Sequence, residues 1–386
     1  MTDGALSGIK VLDFGQYIPG PYTAMLLAEQ GADVIKVERP QGDPYRSKKG
    51  FIVWNRSKRT ITVDLKKAEG RKIAQDLAAR SDVLIENFRT GVADSLGIGY
   101  GTISGLNPRL VYCSISGFGP KGPYSQLPGY EQIVDSLAGV YNQQGYGSHP
   151  LYIVLPLATH YAAFQAAFSI TTALCVREKT GKGQKVDVSM LRAIMCAQRI
   201  HVVDFQGVLR MPWGPTGPLP LYRAYQGSDG KWFFLALGNF KFFTQFCVTI
   251  GHSEWLTDPL FEGAPFLIMP PRNAQVMAML KDFFSARTRD EWVELLRADG
   301  VPTAPICSTE EFMENPQVIA NDMVQLIDQP GRGKIRQMGI PVHLDRSRGR
   351  IKGPAPAPGQ HTREILTNLG YAAGDIARMK KEKIVK

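Results

Sequence analysis

From Gly8 to about Gly119 the chain alternates strand and helix patterns at a spacing that leaves few architectures open. "GIKVLDFG" (Gly8 to Gly15) reads as a strand, and "PYTAMLLAEQGA" (Pro21 to Ala32) as a helix opened by proline and closed by Gly31. "DVIKVER" is a second strand, "KKAEGRKIAQDLAARS" an amphipathic helix, "DVLIENF" a further strand, and "RLVYCSISGFG" a strand that ends in glycines. Such alternation predicts βαβ units on a parallel sheet, hence an α/β fold. Sites on such sheets collect at the carboxyl ends of the strands. The first turn, "FGQYIPGP", is not G-x-G-x-x-G. It lacks the glycines that let a backbone approach a dinucleotide pyrophosphate, so NAD and FAD are disfavoured. "GIGYG" (Gly97 to Gly101) is read as a loop.

Further along, a long helix is predicted over His160 to Glu178, then a basic turn "REKTGKGQ", a strand "KVDVSM" and a helix from Leu191 to Phe205. "RMPWGPTGPLPLYRAYQGSDGK" is rich in proline and glycine and marks a domain boundary. A different pattern follows: a strand "WFFLALG", a helix from Asn239, and helices around Asn273–Ala286 and Arg289–Ala298. From about Gln325 the chain becomes short strands and turns, then a proline-rich connector and a short helix in "GPAPAPGQHTREILTNLGY". A length of 386 residues suits two domains. The expected division is a large domain from residues 1–222 and 325–386, and a small α/β domain from 223–324.

Composition narrows the function classes. The formal charge is +10, but Lys and Arg are scattered, with no aromatic-interleaved basic block of the kind that binds RNA. No nucleic-acid partner is expected; a small polyanionic ligand is the sharper reading of the charge. No run approaches ~20 apolar residues, so no membrane span is expected. The N-terminus has no basic and apolar leader pattern. Cys113, Cys175, Cys196, Cys247 and Cys307 lie far apart without zinc spacing and are read as buried, reduced thiols in a cytoplasmic protein with no metal.

Seven stretches, in order along nearly the whole chain, together resemble the family III CoA-transferases, which include formyl-CoA transferase, carnitine CoA-transferase and the α-methylacyl-CoA racemases. They are "GIKVLDFGQYIPGPYTAMLLAEQGADVIKVERPQGDPYR", "NRSKRTITVDLKKAEGRK", "DVLIENFRTGVADSLGIGY", "NPRLVYCSISGFGPKGPY", "REKTGKGQKVDVSML", "GVPTAPICSTEEFMENPQ" and "GQHTREILTNLGY". The resemblance implies a Rossmann-like large domain made from both chain ends, a smaller α/β domain between them, and an interlocked dimer. It implies CoA or acyl-CoA as substrate, with no permanently bound cofactor, and a carboxylic acid as the second substrate. On that register Ile18 and Pro19 lie against the adenine, Arg39 contacts the nucleotide, and Lys66 faces phosphate. Val63 and the "ENFR" residues Asn87, Phe88 and Arg89 complete the CoA-binding set, with Tyr130 beside the active site. Where formyl-CoA transferase has an arginine after "ENF", this chain has Ser95.

The resemblance also implies a mechanism. An aspartate attacks the thioester to give a mixed anhydride and free CoA thiolate. The thiolate then attacks the aspartyl carbonyl, leaving an enzyme–CoA thioester, and the second acid repeats the sequence in reverse. Counting back from "REKTGKGQ", the family aspartate falls at Thr159. A threonine hydroxyl is not ionised at neutral pH, and its ester lies below a thioester in energy. Threonine and aspartate are both N-cap residues, so Thr159 is expected to cap the helix without serving as nucleophile. Adjacent His160 points about 100° away along the helix and is read as structural. Glu131 is the best remaining carboxylate. The racemases pair a histidine at the Tyr130 position with the aspartate, and both are absent, which argues against racemase activity.

Three readings follow from the sequence. The first is one subunit of a heteromeric transferase whose homologous partner supplies the aspartate, as in the succinyl-CoA:benzylsuccinate enzyme. The second is an active homodimer with Glu131 as nucleophile or a thioesterase-like activity. The third is a non-catalytic CoA-binding protein.

Overall fold

The structure, a computed structural model, describes residues 4–144, 149–198 and 219–386. The chain divides into two compact units: Met1–Tyr141 with Tyr152–Phe205 and Asn321–Lys386, and Asn142–Leu151 with Gln206–Ala320.

In the first unit β1 (Lys10–Asp13), β2 (Asp33–Glu38), β3 (Arg59–Thr62), β4 (Val83–Glu86), β5 (Val111–Ser116) and β6 (Lys185–Ser189) form one sheet. The order is β3-β2-β1-β4-β5-β6, and every neighbouring pair is parallel. The order reverses between β1 and β4, the switch point at which open α/β sheets leave a crevice. The helices of this part are α1 (Pro19–Glu29), α2 (Gly50–Trp54), α3 (Ala68–Ala79), α4 (Val92–Ser95), α5 (Tyr100–Leu106), α6 (Glu131–Leu137), α7 (Val140–Gln144), α8 (Leu157–Thr180) and α9 (Met190–Met195).

Both sheet faces are covered, as a parallel sheet requires. Side chains alternate across a strand, so Val11 joins a core with Ala24, Ala28, Ile85, Ala162, Ala166 and Ile170. Leu12 faces the other way, toward Ile61, Ile73, Leu77, Leu84 and Tyr112. The buried stripe of α8 is mostly alanine (Ala158, Ala162, Ala163, Ala166, Ala173), with no bulk to hold neighbouring elements away.

The second unit has an antiparallel sheet, β7 (Tyr222–Gln226), β8 (Trp232–Ala236) and β9 (Thr303–Pro305), in that order. Its helices are α10 (Phe240–Thr249), α11 (Arg272–Phe284), α12 (Arg289–Ala298), α13 (Thr309–Met313) and α14 (Pro316–Ala320). Asn239 caps α10, and Thr288 with Glu291 forms a capping box on α12. Phe233, Phe243, Phe246, Phe284 and Trp292 are core here, so these aromatic residues are spent on packing.

The chain then returns to the first unit as a hairpin, β10 (Val324–Gln329) with β11 (Gly333–Met338), followed by α15 (Thr362–Leu369) and α16 (Ala373–Lys381). Arg56, fully buried, holds the hairpin. It donates to Glu29 Oε1 (2.5 Å), Gln337 Oε1 (3.0 Å), Met338 O (2.5 Å) and Gly339 O (3.3 Å).

Several sequence expectations need correction. The first helix starts at Pro19, not Pro21, because Ile18 is the N-cap and a proline fits the first turn. "GIGYG" is not all loop: Gly99 is the extended N-cap from which α5 begins at Tyr100. The helix expected over Leu191–Phe205 ends at Met195, and residues 199–205 lie outside the described residues. The proline- and glycine-rich segment after Met211 also lies outside them as far as residue 218. Cys113 and Cys247 are buried, but Cys175 and Cys196 are exposed, on the solvent side of otherwise apolar segments. Among the described residues no helix is long and apolar enough to cross a membrane, and no His/Cys/Asp/Glu group could hold a metal ion.

Candidate active site

The parallel sheet brings the carboxyl ends of its strands to one edge, and most of the expected binding residues follow those ends. After β1 the chain turns through Gly15 and Gly20. A Cβ on Gly20 would stand 2.8 Å from the Gly15 Cα, so the turn closes only without side chains. Asp13 fixes it from below, accepting from Gly15 N (2.8 Å) and from the buried Lys58 Nζ (2.8 Å). Lys36, also buried, donates to Gly15 O (2.7 Å) and pairs with Asp43 (2.9 Å). Burial pulls Lys58 down to about 8, against the pull of Asp13 in the other direction.

Ile18 and Pro19 lie at the start of α1 in this turn, Ile18 half-buried and Pro19 buried. Asn87, just past β4, binds across to the same turn: its Oδ1 accepts from Gln16 N (2.7 Å) and its Nδ2 donates to Gln16 O (2.9 Å). Phe88 is half-buried and Arg89 exposed beside it. Arg39 follows β2, exposed, with its Nε on Gly42 O (2.9 Å). Lys66 is exposed in the turn after β3. Val63 is 1% exposed and packs into the core, with a β-bridge to Val385. Ser95 is exposed on α4, its hydroxyl on Val92 O.

Beyond β5 the loop folds back on itself at Gly117 and Gly129. A Cβ on either would lie 2.3–2.4 Å from the other's Cα. This contact sets where α6 begins. Tyr130 is its extended N-cap and is 57% exposed; Glu131 is its first residue.

Glu131 reaches the N-terminus of α8. Its Oε1 accepts from Ala158 N (2.7 Å), and its Oε2 accepts from Thr159 N (2.9 Å) and from the Thr159 hydroxyl. The expected cap is thereby corrected. Thr159 lies inside α8, whose N-cap is Pro156 with no side-chain bond, and a carboxylate from another helix satisfies the orphan N–H groups. The positive end of the helix dipole favours this. Thr159 is 4% exposed. His160 turns elsewhere: its Nδ1 lies 2.6 Å from Pro156 O, and its ring meets Tyr22 and Trp54 edge-on.

Asp135, one turn after Glu131, escaped the sequence reading. It is fully buried, and among the described residues neither carboxyl oxygen has a hydrogen-bond partner. Burial first, and the Glu131 carboxylate second, push it from an ordinary 3.8 up to about 7. The signal was present in "EQIVD": two carboxylates at i and i+4 share a helix face and repel. Because the folded value is raised, Asp135 supports the fold fully below pH ~4, and that support is lost as pH rises toward about 7. Asp135→Asn should therefore gain thermal stability relative to the parent chain as pH rises from ~4 to ~7. Melting curves at both ends of the range check this; a pH-independent difference contradicts it.

Residues 6–362 match the family described as CoA-transferase family III. The succinyl-CoA–D-citramalate CoA-transferase of Chloroflexus aurantiacus is 30% identical over 98% of this chain and 98% of its own. The formyl-CoA:oxalate CoA-transferase of Bradyrhizobium diazoefficiens is 32% identical over 98% of this chain and 96% of its own. A CAIB/BAIF family protein from Brucella suis has a solved structure that superposes with a TM-score of 0.83 at 29% identity, covering 95% of this chain and 100% of that one. The α/β architecture built around the six-stranded sheet is the architecture of that family, and the chain belongs to CoA-transferase family III. Its substrates are accordingly CoA thioesters, and the described residues offer no metal site.

Proposed function

We propose that this chain is a CoA-transferase subunit that binds acyl-CoA, succinyl-CoA for example, and a carboxylic acid, and acts with a homologous, aspartate-bearing partner chain in the cytoplasm. The supporting observation is the state of Thr159. At the position where the family register expects a free carboxylate stands a 4% exposed hydroxyl that donates to Glu131. An alcohol so placed cannot form the anhydride and thioester series by which CoA passes between acids. Glu131, holding Ala158 N, Thr159 N and the hydroxyl, keeps α8 in register for the fold and the interface. The loops bearing Arg39, Lys66, Asn87 and Arg89 would serve the phosphates, through cations and backbone N–H groups. Native mass spectrometry of the tagged protein from its own host tests this. A second chain of similar mass with an aspartate at the matching position is expected; a homodimer alone that turns over acyl-CoA overturns it.

A second reading rests on the same contact. Glu131 is a carboxylate within hydrogen-bond reach of Thr159, a geometry that permits either direct attack by Glu131 or attack by a Thr159 hydroxyl whose proton Glu131 accepts. A self-sufficient homodimer with transferase or thioesterase-like activity would follow. Borohydride trapping in the presence of acyl-CoA should then reduce Glu131 to an alcohol, found by peptide mass. If neither Glu131→Gln nor Thr159→Ala lowers turnover, this reading fails.

A further inference from the structure

Asp135 has no structural work of the ordinary kind. Its two oxygens are buried without a donor, while Glu131, one turn away, takes three. A carboxylate in that position would be an uncompensated charge beside another, and proteins avoid this by retaining a proton. Among the described residues the surroundings supply no cation. On α6 itself the neighbouring ionisable group is Glu131. From α7 comes Tyr141, whose hydroxyl is also buried without a partner, and Tyr152 packs against Tyr141 at 5.7 Å between ring centroids. From α8 come Ala158 and Thr159, whose N–H groups are taken by Glu131, and His160, whose Nδ1 meets Pro156 O. On α9 the one ionisable side chain is Arg192, which is exposed. Burial and then Asp135 push the Tyr141 phenol up, so it stays protonated beside the pair.

We propose that Asp135 is a positioning residue that holds one proton behind Glu131, so that the pair presents a single negative charge at the start of α8. Glu131 keeps that charge because α8 makes three hydrogen bonds to it; Asp135, sealed from solvent beside that charge, takes the proton. This deepens the reading of Glu131 as the carboxylate of the site. Both substrates of a CoA-transferase are anions, and a second charge beside Glu131 would repel them. With the proton in place the site carries one such charge. As pH rises through about 7 the proton leaves, the two carboxylates repel, and Glu131 loses its seat on Ala158 and Thr159.

Infrared difference spectra of the full chain, titrated from about pH 5 to about pH 9, test the assignment. Protonated and ionised carboxyls absorb at separate frequencies. The parent chain should lose one buried-acid band near neutral pH. Asp135→Asn, which keeps the shape but cannot titrate, should lack that band. In Glu131→Gln the band should remain and titrate at lower pH, because the like charge is gone. A band unaffected by Asp135→Asn, or no acid band titrating near neutrality, overturns the proposal. If Asp135→Asn does not fold, the Glu131→Gln titration decides, since an unshifted midpoint also overturns it. The readout needs no substrate, so it stands apart from whether the chain transfers CoA alone, with a partner, or not at all.

Discussion

Arg56→Met is expected to lower the stability of the first unit by about 3–5 kcal/mol, the usual cost of removing one partner from a buried ion pair. Arg56 is 0% exposed and Glu29 is 1% exposed, and the Arg56 Nε donates to Glu29 Oε1. Among the described residues Glu29 Oε2 has no hydrogen-bond partner even with Arg56 present, and burial raises the Glu29 pKa despite the neighbouring cation. Methionine would leave this carboxyl without compensation and release the bonds to Gln337, Met338 and Gly339. The end of β11 should then loosen first. Urea denaturation measures the loss, and limited proteolysis should cut near residues 338–340 before the sheet unfolds. Arg56→Met with Glu29→Gln should recover part of the stability, because the stranded charge is gone. A single-variant loss below about 1 kcal/mol would show that the pair contributes little beyond an apolar contact.

Gly129→Ala is expected to cost about 3 kcal/mol, at the upper end for overpacking. The new Cβ would fall 2.3 Å from the Gly117 Cα, which is backbone and cannot rotate away. Neither glycine has a positive φ, so alanine's conformational preference is not at issue and the effect isolates the contact. Gly117→Ala should cost a similar amount, because the approach is mutual, and the double variant should cost less than the sum once the two loop backbones have parted. Scanning calorimetry of the three proteins checks this. Additive losses would mean that the two backbones do not depend on one another. Since Tyr130 and Glu131 follow Gly129 directly, separation of these backbones also displaces the carboxylate from α8.

The parallel sheet was legible because its strands are short apolar runs punctuated by glycine and proline, and local patterning carries that information. The helices expected from Asn239 and around Arg289–Ala298 are α10 and α12, and the structure caps them with Asn239 and Thr288. What escaped was long-range. Nothing near Thr159 in sequence says that its orphan N–H groups are capped by Glu131, 27–28 residues earlier, and N-cap propensity alone assigned the task to threonine. Asp135 reads as one more polar residue on an exposed helix until the fold seals it at 0% exposure. The burial of the Val63 side chain in the core is a matter of strand face, which a one-residue motif does not carry. The start of α5 was missed because a glycine N-cap leaves no polar side chain to mark it.

The paired bonds between Asn87 and Gln16 have a consequence for any ligand at the switch point. They staple the turn after β1 to the turn after β4, two segments separated by 71 positions in the chain. Free loops each surrender roughly 1–2 kcal/mol of conformational entropy per residue when a ligand fixes them. Here that ordering is completed when the protein folds, before anything binds. The two turns are joined by the fold itself, and affinity for a group arriving at this edge would depend on its fit and not on the work of shaping the cradle.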